Sequence, residues 1–288
     1  MSLRKPLLLL LALALLLGAC SRVDLAYRNL DWLIPWKLDD YLALDEQQRA
    51  WLKPQVRQHL AWHCRVELPR YLDWLEANQA LLDAPDSEAL AAQLQAFDQA
   101  LQRIAVEITP SSVQLLRGLS PRQVEQLFEA LDEQNAKLRE EFVEPPLPQQ
   151  IAQRAERMSQ RLQPWFGNLS ATQSARVEAW AASLGAQNRV WLDNRLAWQQ
   201  ALRETLEVRR GEAFEARMRA LLQQRESFHT QAYQASYATS RQALVDLFAD
   251  LLAQADEPQL SRLRQRLNGL HADLAKQQCQ ANRAVANR

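Results

Sequence analysis

The sequence predicts an all-α protein, a multi-helix bundle with long amphipathic antiparallel helices. Three observations carry that expectation. Only 6 glycines and 12 prolines occur in 288 residues, and Ala, Leu, Gln, Arg and Glu, which are strong helix formers, dominate. Apolar residues recur at sums of three and four along long segments, and no run alternates apolar with polar as a half-buried strand would. Hydrophobic residues make up 48% of the chain, enough material for a sizeable core.

The N-terminus reads as a targeting segment. Arg4 and Lys5 precede an apolar run from Leu7 to Leu17, and Gly18 and Ala19 follow at once. That run is shorter than the ~20 residues a membrane-spanning helix needs, and its layout is that of a secretory signal over residues 1–19. The sequence Leu17-Gly18-Ala19-Cys20 resembles the bacterial lipobox. The resemblance implies cleavage before Cys20 and its lipidation by a thioether-linked diacylglycerol, the alternative being an ordinary cleavage site beside a chance cysteine. Several acyl chains on one residue make a stable anchor, at ~0.8 kcal/mol per buried methylene. Among lipoproteins of double-membrane bacteria, Ser21 in place of an aspartate implies the outer membrane and its periplasmic face.

Without Arg4 and Lys5 the 34 basic residues fall two short of the 34 acidic ones, so the processed chain carries a net charge of −2. No polybasic footprint for nucleic acid is left. Once Cys20 is taken by lipid, Cys64 and Cys279 remain as an even pair, and an oxidising compartment favours a Cys64–Cys279 disulfide. Such a long closed loop would stabilise by about 5 kcal/mol before any strain is subtracted. Two buried thiols are the alternative.

Residues 20–26 form a short lipidated tether, after which aromatic and charged residues crowd together from Tyr27 to Tyr41. Pro35 should interrupt any helix there, because it pushes Ile34 away from the helical region. Five of the nine tryptophans lie between Trp32 and Trp74. Trp32, Trp36, Lys37, Asp39, Asp40 and Tyr41 form a candidate binding surface close to a membrane, since buried charges must be paired and amphipathic aromatics suit such a boundary. Packing of the same aromatics between the first helices is the competing expectation.

Helices are expected over residues 45–65 with Pro54 inside, 68–82, 87–108, 110–117, 120–142, 149–162, 170–210, 212–255 and 258–281. Residues 145–148, Pro-Pro-Leu-Pro, cannot lie in a helix interior and mark a hinge between an N-terminal half, 27–144, and a C-terminal half, 149–288, packed with the first.

Three helix starts share one pattern, at Leu44-Asp45-Glu46-Gln47-Gln48, Leu119-Ser120-Pro121-Arg122-Gln123 and Leu169-Ser170-Ala171-Thr172-Gln173. Each places a capping oxygen three residues before a glutamine that can reach back to the cap's own N–H. Gly118 and Gly167 stand just upstream, where they can end the preceding helix. The pattern resembles the repeated motif of Spy- and CpxP-type periplasmic chaperones, helical cradles for unfolded clients, although helix capping selects the same residues and this chain is longer. The whole region after Cys20, above all Tyr27–Tyr41 and Leu44–Leu52, resembles an uncharacterised family of proteobacterial lipoproteins defined as a domain of unknown function. That resemblance implies a helical envelope protein and supplies no activity.

The later helices carry apolar stripes. Val177, Trp180, Leu184, Trp191, Trp198, Leu202 and Leu206 form one, and Phe214, Met218, Leu221, Phe228, Leu244, Leu247, Phe248 and Leu251 a second, broken by a polar interval from Thr230 to Ser240. Two long helices packed antiparallel about Gly211 are expected. Arg195 interrupts the first stripe at a position that should face inward, as a paired buried arginine or, alternatively, as one lining a cleft.

Motifs of catalysis are scarce. His59 and His63 stand four apart beside Cys64, a spacing able to chelate a metal, yet no glutamate follows His59 as in zinc proteases. No nucleophile elbow, phosphate loop or dinucleotide fingerprint occurs. Two function classes follow. The leading one is a membrane-anchored, non-catalytic binding or chaperone-like envelope protein without cofactor, whose partners are the membrane, through its anchor, and envelope proteins or unfolded clients, met in an apolar groove. The other is an envelope enzyme or metal-handling protein centred on His59 and His63.

Overall fold

The computed structural model describes the backbone of residues 29–286 and side chains as far as Gln277. The signal segment, Cys20 and the tether lie outside the described residues, as does the side chain of Cys279. Every regular element in the described part is helical. In chain order these are α1 (Leu30–Leu42), α2 (Glu46–Trp62), a π-helical turn (His63–Glu67), α3 (Leu68–Ala80), α4 (Ser87–Arg117), α5 (Pro121–Phe142) and α6 (Leu147–Phe166). There follow α7 (Ala171–Ser183), α8 (Gln187–Glu207), α9 (Phe214–Gln223), a 3₁₀ turn (Arg225–Phe228), α10 (Gln231–Ala253) and α11 (Glu257–Ala286). Among the described helices none is long and apolar enough to cross a membrane.

The three expected caps form as capping boxes. Asp45, Ser120 and Ser170 each accept from the backbone N–H of the glutamine three residues on, whose side chain accepts from the cap's N–H. A fourth box, Asp256 with Gln259, opens α11, so that helix starts at Glu257, one residue before the expected start at Pro258.

Several boundaries differ from expectation, each for a local reason. Pro35 does not interrupt a helix, since α1 runs through it. Ile34, Leu38, Tyr41 and Leu42 face a common core from one side of α1, and that burial outweighs the proline. Pro110 likewise sits inside one continuous α4. Beside it the Thr109 hydroxyl bonds the Ala105 carbonyl at 2.5 Å and the Ser111 hydroxyl the Ile108 carbonyl at 3.0 Å, both within the same helix. The helix expected over 170–210 breaks into α7 and α8 at Gly185, whose φ of 49° lies in the left-handed region. The one expected over 212–255 breaks at the 3₁₀ turn, after which Thr230 caps α10. As expected, Gly211 lies in the turn between the packed helices α8 and α9.

Two hydrophobic cores result. The first joins Leu42, Leu52, Val113, Leu127, Leu206, Phe214 and Met218, contributed by α1, α2, α4, α5, α8 and α9. The second joins Leu75, Met158, Leu162, Phe166, Val177, Leu247, Leu251 and Leu267, from α3, α6, α7, α10 and α11. Both draw on residues before and after the prolines at 145–148. Helix α4 is common to them, with Val113 and Leu115 in the first core and Leu90 against the second.

Candidate functional site

The second core is not filled. Between α3, the N-terminal half of α4, α6, α10 and α11 lies a cavity of about 670 Å³, walled by Trp74, Leu75, Leu90, Leu94, Phe97, Met158, Leu162, Trp165, Phe166, Leu244, Phe248 and Leu267 among others. Three polar side chains reach its wall: Asn78, Gln93 and Arg161. The Asn78 amide donates to Gln93 Oε1 at 3.2 Å and to the Trp74 carbonyl, and the Trp74 indole N–H donates to the Gln93 backbone carbonyl, so the polar groups deepest in the wall bond the protein and Arg161 is left at the rim. A site of this kind offers dispersion and burial to a ligand, with orientation left to its rim. Phe97, 54% exposed, stands at that rim.

The rim has a different chemistry. Leu94, Phe97, Met158, Arg161 and Leu244 also line a neighbouring recess of about 450 Å³, where they are joined by Arg154, Arg157, Arg241, Trp180, Asn188 and Tyr237. Arg154, Arg157 and Arg161 stand at intervals of three and four on α6, which places them on one helical face beside Met158 and Leu162. Arg154 is buried. Its guanidinium donates to the carbonyls of Ala181 and Gly185 at 2.7 and 3.1 Å and to Asn188 Oδ1 at 3.1 Å. Burial first, and Arg157 next to it, disfavour its charged form. Arg157 lies over the Phe142 ring at 4.7 Å. Arg241 is different, since Asp98 neutralises it.

The residues singled out in the sequence fall elsewhere. Trp32 and Trp36 are 62% and 52% exposed and stack on each other with centroids 6.0 Å apart. Lys37 pairs with Asp40 at 2.7 Å on the same surface. Asp39 holds Arg49 through two oxygens and accepts from Leu44 N–H, while Tyr41 packs against the first core. The set is therefore part surface and part scaffold. Arg195 is half-buried as expected, bonded to Asn135 and Gln134 side chains at 2.9 and 2.6 Å rather than to a carboxylate. Trp191, in contrast, leaves its stripe and is 37% exposed, because the break at Gly185 resets the face of α8.

His59 and His63 do not converge. The His59 ring sits between two residues of α4, with Nδ1 3.0 Å from Glu107 Oε1 and Nε2 2.7 Å from Ser111 Oγ. His63 packs edge-on against Tyr71 at 5.4 Å. Among the described residues no group of three His, Cys, Asp or Glu side chains is placed to hold a metal ion. Cys64 is buried with its Sγ 3.7 Å from the Gln277 carbonyl, so the end of α11 reaches it.

A family of unknown function, DUF6279, matches residues 40–234. The chain belongs to that family. Neither a curated protein nor a solved structure matched it. The matched span runs from the end of α1 into the start of α10, so this family's domain holds the cap pattern of α2, α5 and α7, the whole basic face of α6 and the His59–Glu107–Ser111 contact. The α10 and α11 walls of the cavity lie beyond it. None of the arginines of the recess was picked out from the sequence, and Trp180 was read there only as part of an apolar stripe; the signal available was the spacing 154, 157, 161 beside apolar residues, which reads equally as a solvated helix face.

Proposed function

We propose that this chain is a non-catalytic binding protein that accepts an apolar ligand in the cavity of its second core, while lipidated Cys20 tethers it to the periplasmic face of the outer membrane. The observation that carries the binding role is the continuous apolar wall of a cavity of about 670 Å³ whose deepest polar groups already bond the protein. Its size falls in the ~300–1,000 Å³ range of small-molecule sites. Apolar matter fills a space with such a wall better than water does. The tether rests on the lipobox resemblance at Leu17–Cys20.

Leu94→Trp tests the cavity. The larger side chain should occupy the space that a neutral apolar fluorophore such as diphenylhexatriene would take, abolishing its binding with the thermal midpoint kept or raised. Equal binding by the variant would remove the cavity from consideration. Cys20→Ala tests the tether: the variant should lose lipid labelling and stop sedimenting with membranes.

A second reading is favoured by one contact. Glu107, His59 and Ser111 stand in the order acid, imidazole, hydroxyl, the order in which a serine nucleophile is activated. Against it, Ser111 Oγ also bonds the Ile108 carbonyl one turn back, which ties the hydroxyl to its own helix. Labelling by a fluorophosphonate that is lost in Ser111→Ala would establish the hydrolase reading. No labelling of the folded protein would leave the trio as a polar strut between α2 and α4.

A further inference from the structure

The apolar cavity and the basic recess share one wall, so a ligand in the first presents its end to the second. What that end must be follows from three observations. Arg154 is a buried cation with three hydrogen bonds, all to neutral carbonyl and amide oxygens, so part of its five-donor fork is left over and its charge is uncompensated. Arg157 and Arg161, on the same face of α6, meet no carboxylate among the described residues, and Asp98, the acidic side chain of the recess, is taken by Arg241. Trp180, 8% exposed, also lines the recess, and its Nε1–H is buried without an acceptor. Buried donors are almost always paired, so an orphan beside an uncompensated cation marks a place where an acceptor belongs.

We propose that the site takes a single-chain anionic amphiphile, whose acyl chain lies along Trp74, Phe97 and Phe248 and whose carboxylate or phosphate is held by Arg154, Arg157, Arg161 and the Trp180 N–H. This rests on the cavity being a ligand site and adds the headgroup. The anion supplies the missing countercharge, and arginine suits the task because its planar fork matches either oxyanion. A chain with a neutral head would leave the cluster as it stands and gain only its own burial.

The experiment compares cis-parinaric acid with its methyl ester on the full chain in nanodiscs, read by energy transfer from tryptophan with empty nanodiscs as the blank. The acid should bind about tenfold or more tightly than the ester. In R157Q/R161Q, whose side chains are partly exposed, and in W180F, which keeps the ring and removes the donor, that preference should shrink towards unity with ester binding unchanged. Displacement by palmitate alone identifies a carboxylate ligand, by lysophosphatidylglycerol alone a phosphate ligand, and by both a site that reads charge only; each supports the proposal. Equal binding of acid and ester, or equal displacement by zwitterionic lysophosphatidylcholine, overturns the headgroup assignment and leaves the cavity. Failure of both acid and ester to bind overturns the cavity reading as well.

Discussion

Gln173 and Gln259 close two capping boxes and also bond each other, each amide donating to the other's oxygen at 2.9 and 3.0 Å. Both are buried, and each also donates to a carbonyl just upstream of its partner's box, Gln173 to Leu251 and Gln259 to Asn168. The starts of α7 and α11 are thus tied across the second core. Gln48 and Gln123 make the same reciprocal pair at the starts of α2 and α5, beside the first core. Four capping boxes, three of them legible in the sequence, are thus two clamps, one for each core.

Gln173→Leu and Gln259→Leu should each cost about 1–3 kcal/mol, because each strands a buried partner. The double variant should cost less than the two singles added, with a coupling of about 0.5–3 kcal/mol. Urea denaturation of the four proteins measures it, and strict additivity would show that the clamp carries no joint energy.

Glu67 is fully buried and held by Arg103 at 2.7 and 2.9 Å. The π-helical turn at His63–Glu67 sets its direction, since a wider turn rotates the side chain towards α4. Arg103→Met leaves a buried carboxylate alone and should destabilise by about 3 kcal/mol or more, whereas Glu67→Gln with Arg103→Met together should recover part of the loss. Calorimetric midpoints decide between these outcomes.

The end of α11 comes to Cys64 through Gln277. We expect Cys64 and Cys279 to be joined in protein recovered from an oxidising compartment, and mass spectrometry without reduction reads this directly. Reduction should then lower the thermal midpoint. Two thiols that alkylate without prior reduction would refute the pairing.

His63 should make stability depend on pH. Burial outweighs the nearby Glu67 carboxylate and holds its pKa below the usual value, so below pH ~6.5 the unfolded chain takes up a proton that the folded chain refuses. Stability from this group is full above that pH and is lost as pH falls through it towards the folded value. His63→Gln should therefore lose less thermal midpoint than the natural chain between about pH 7.5 and about pH 5. Parallel curves would remove His63 as the cause.

Trp32 and Trp36 stack in the open, and Trp36→Ala should change stability by less than about 0.5 kcal/mol. Its effect should appear in contact with vesicles or crosslinked partners, which should weaken. A large loss of midpoint with partner contact intact would make the pair structural.

Local signals were readable wherever the chain decides by itself. The cap at Ser120, the turn at Gly211 and the all-helical class follow from residues within a turn of each other. Pro35 and Pro110 misled because burial against distant helices outweighs a local preference, and no window around either proline contains those helices. The cavity was invisible for the same reason: Trp74, Phe97, Met158, Leu244 and Leu267 are ordinary core residues until five helices are placed around them. An apolar groove between helices was expected without a location, and the aromatics that stand densest in the sequence, Trp32–Tyr41, contribute nothing to the wall of the cavity.

Each core is sewn from the beginning, the middle and the far part of the chain. Leu42 waits for Phe214, and Leu75 for Leu267. Well over half the polypeptide must therefore be present in the compartment where it folds before the first interior can close, and nearly all of it before the second can. Until then the arriving chain displays half-made apolar faces, and its quickest structures are the separate capped helices, formed long before they have anything to lean on.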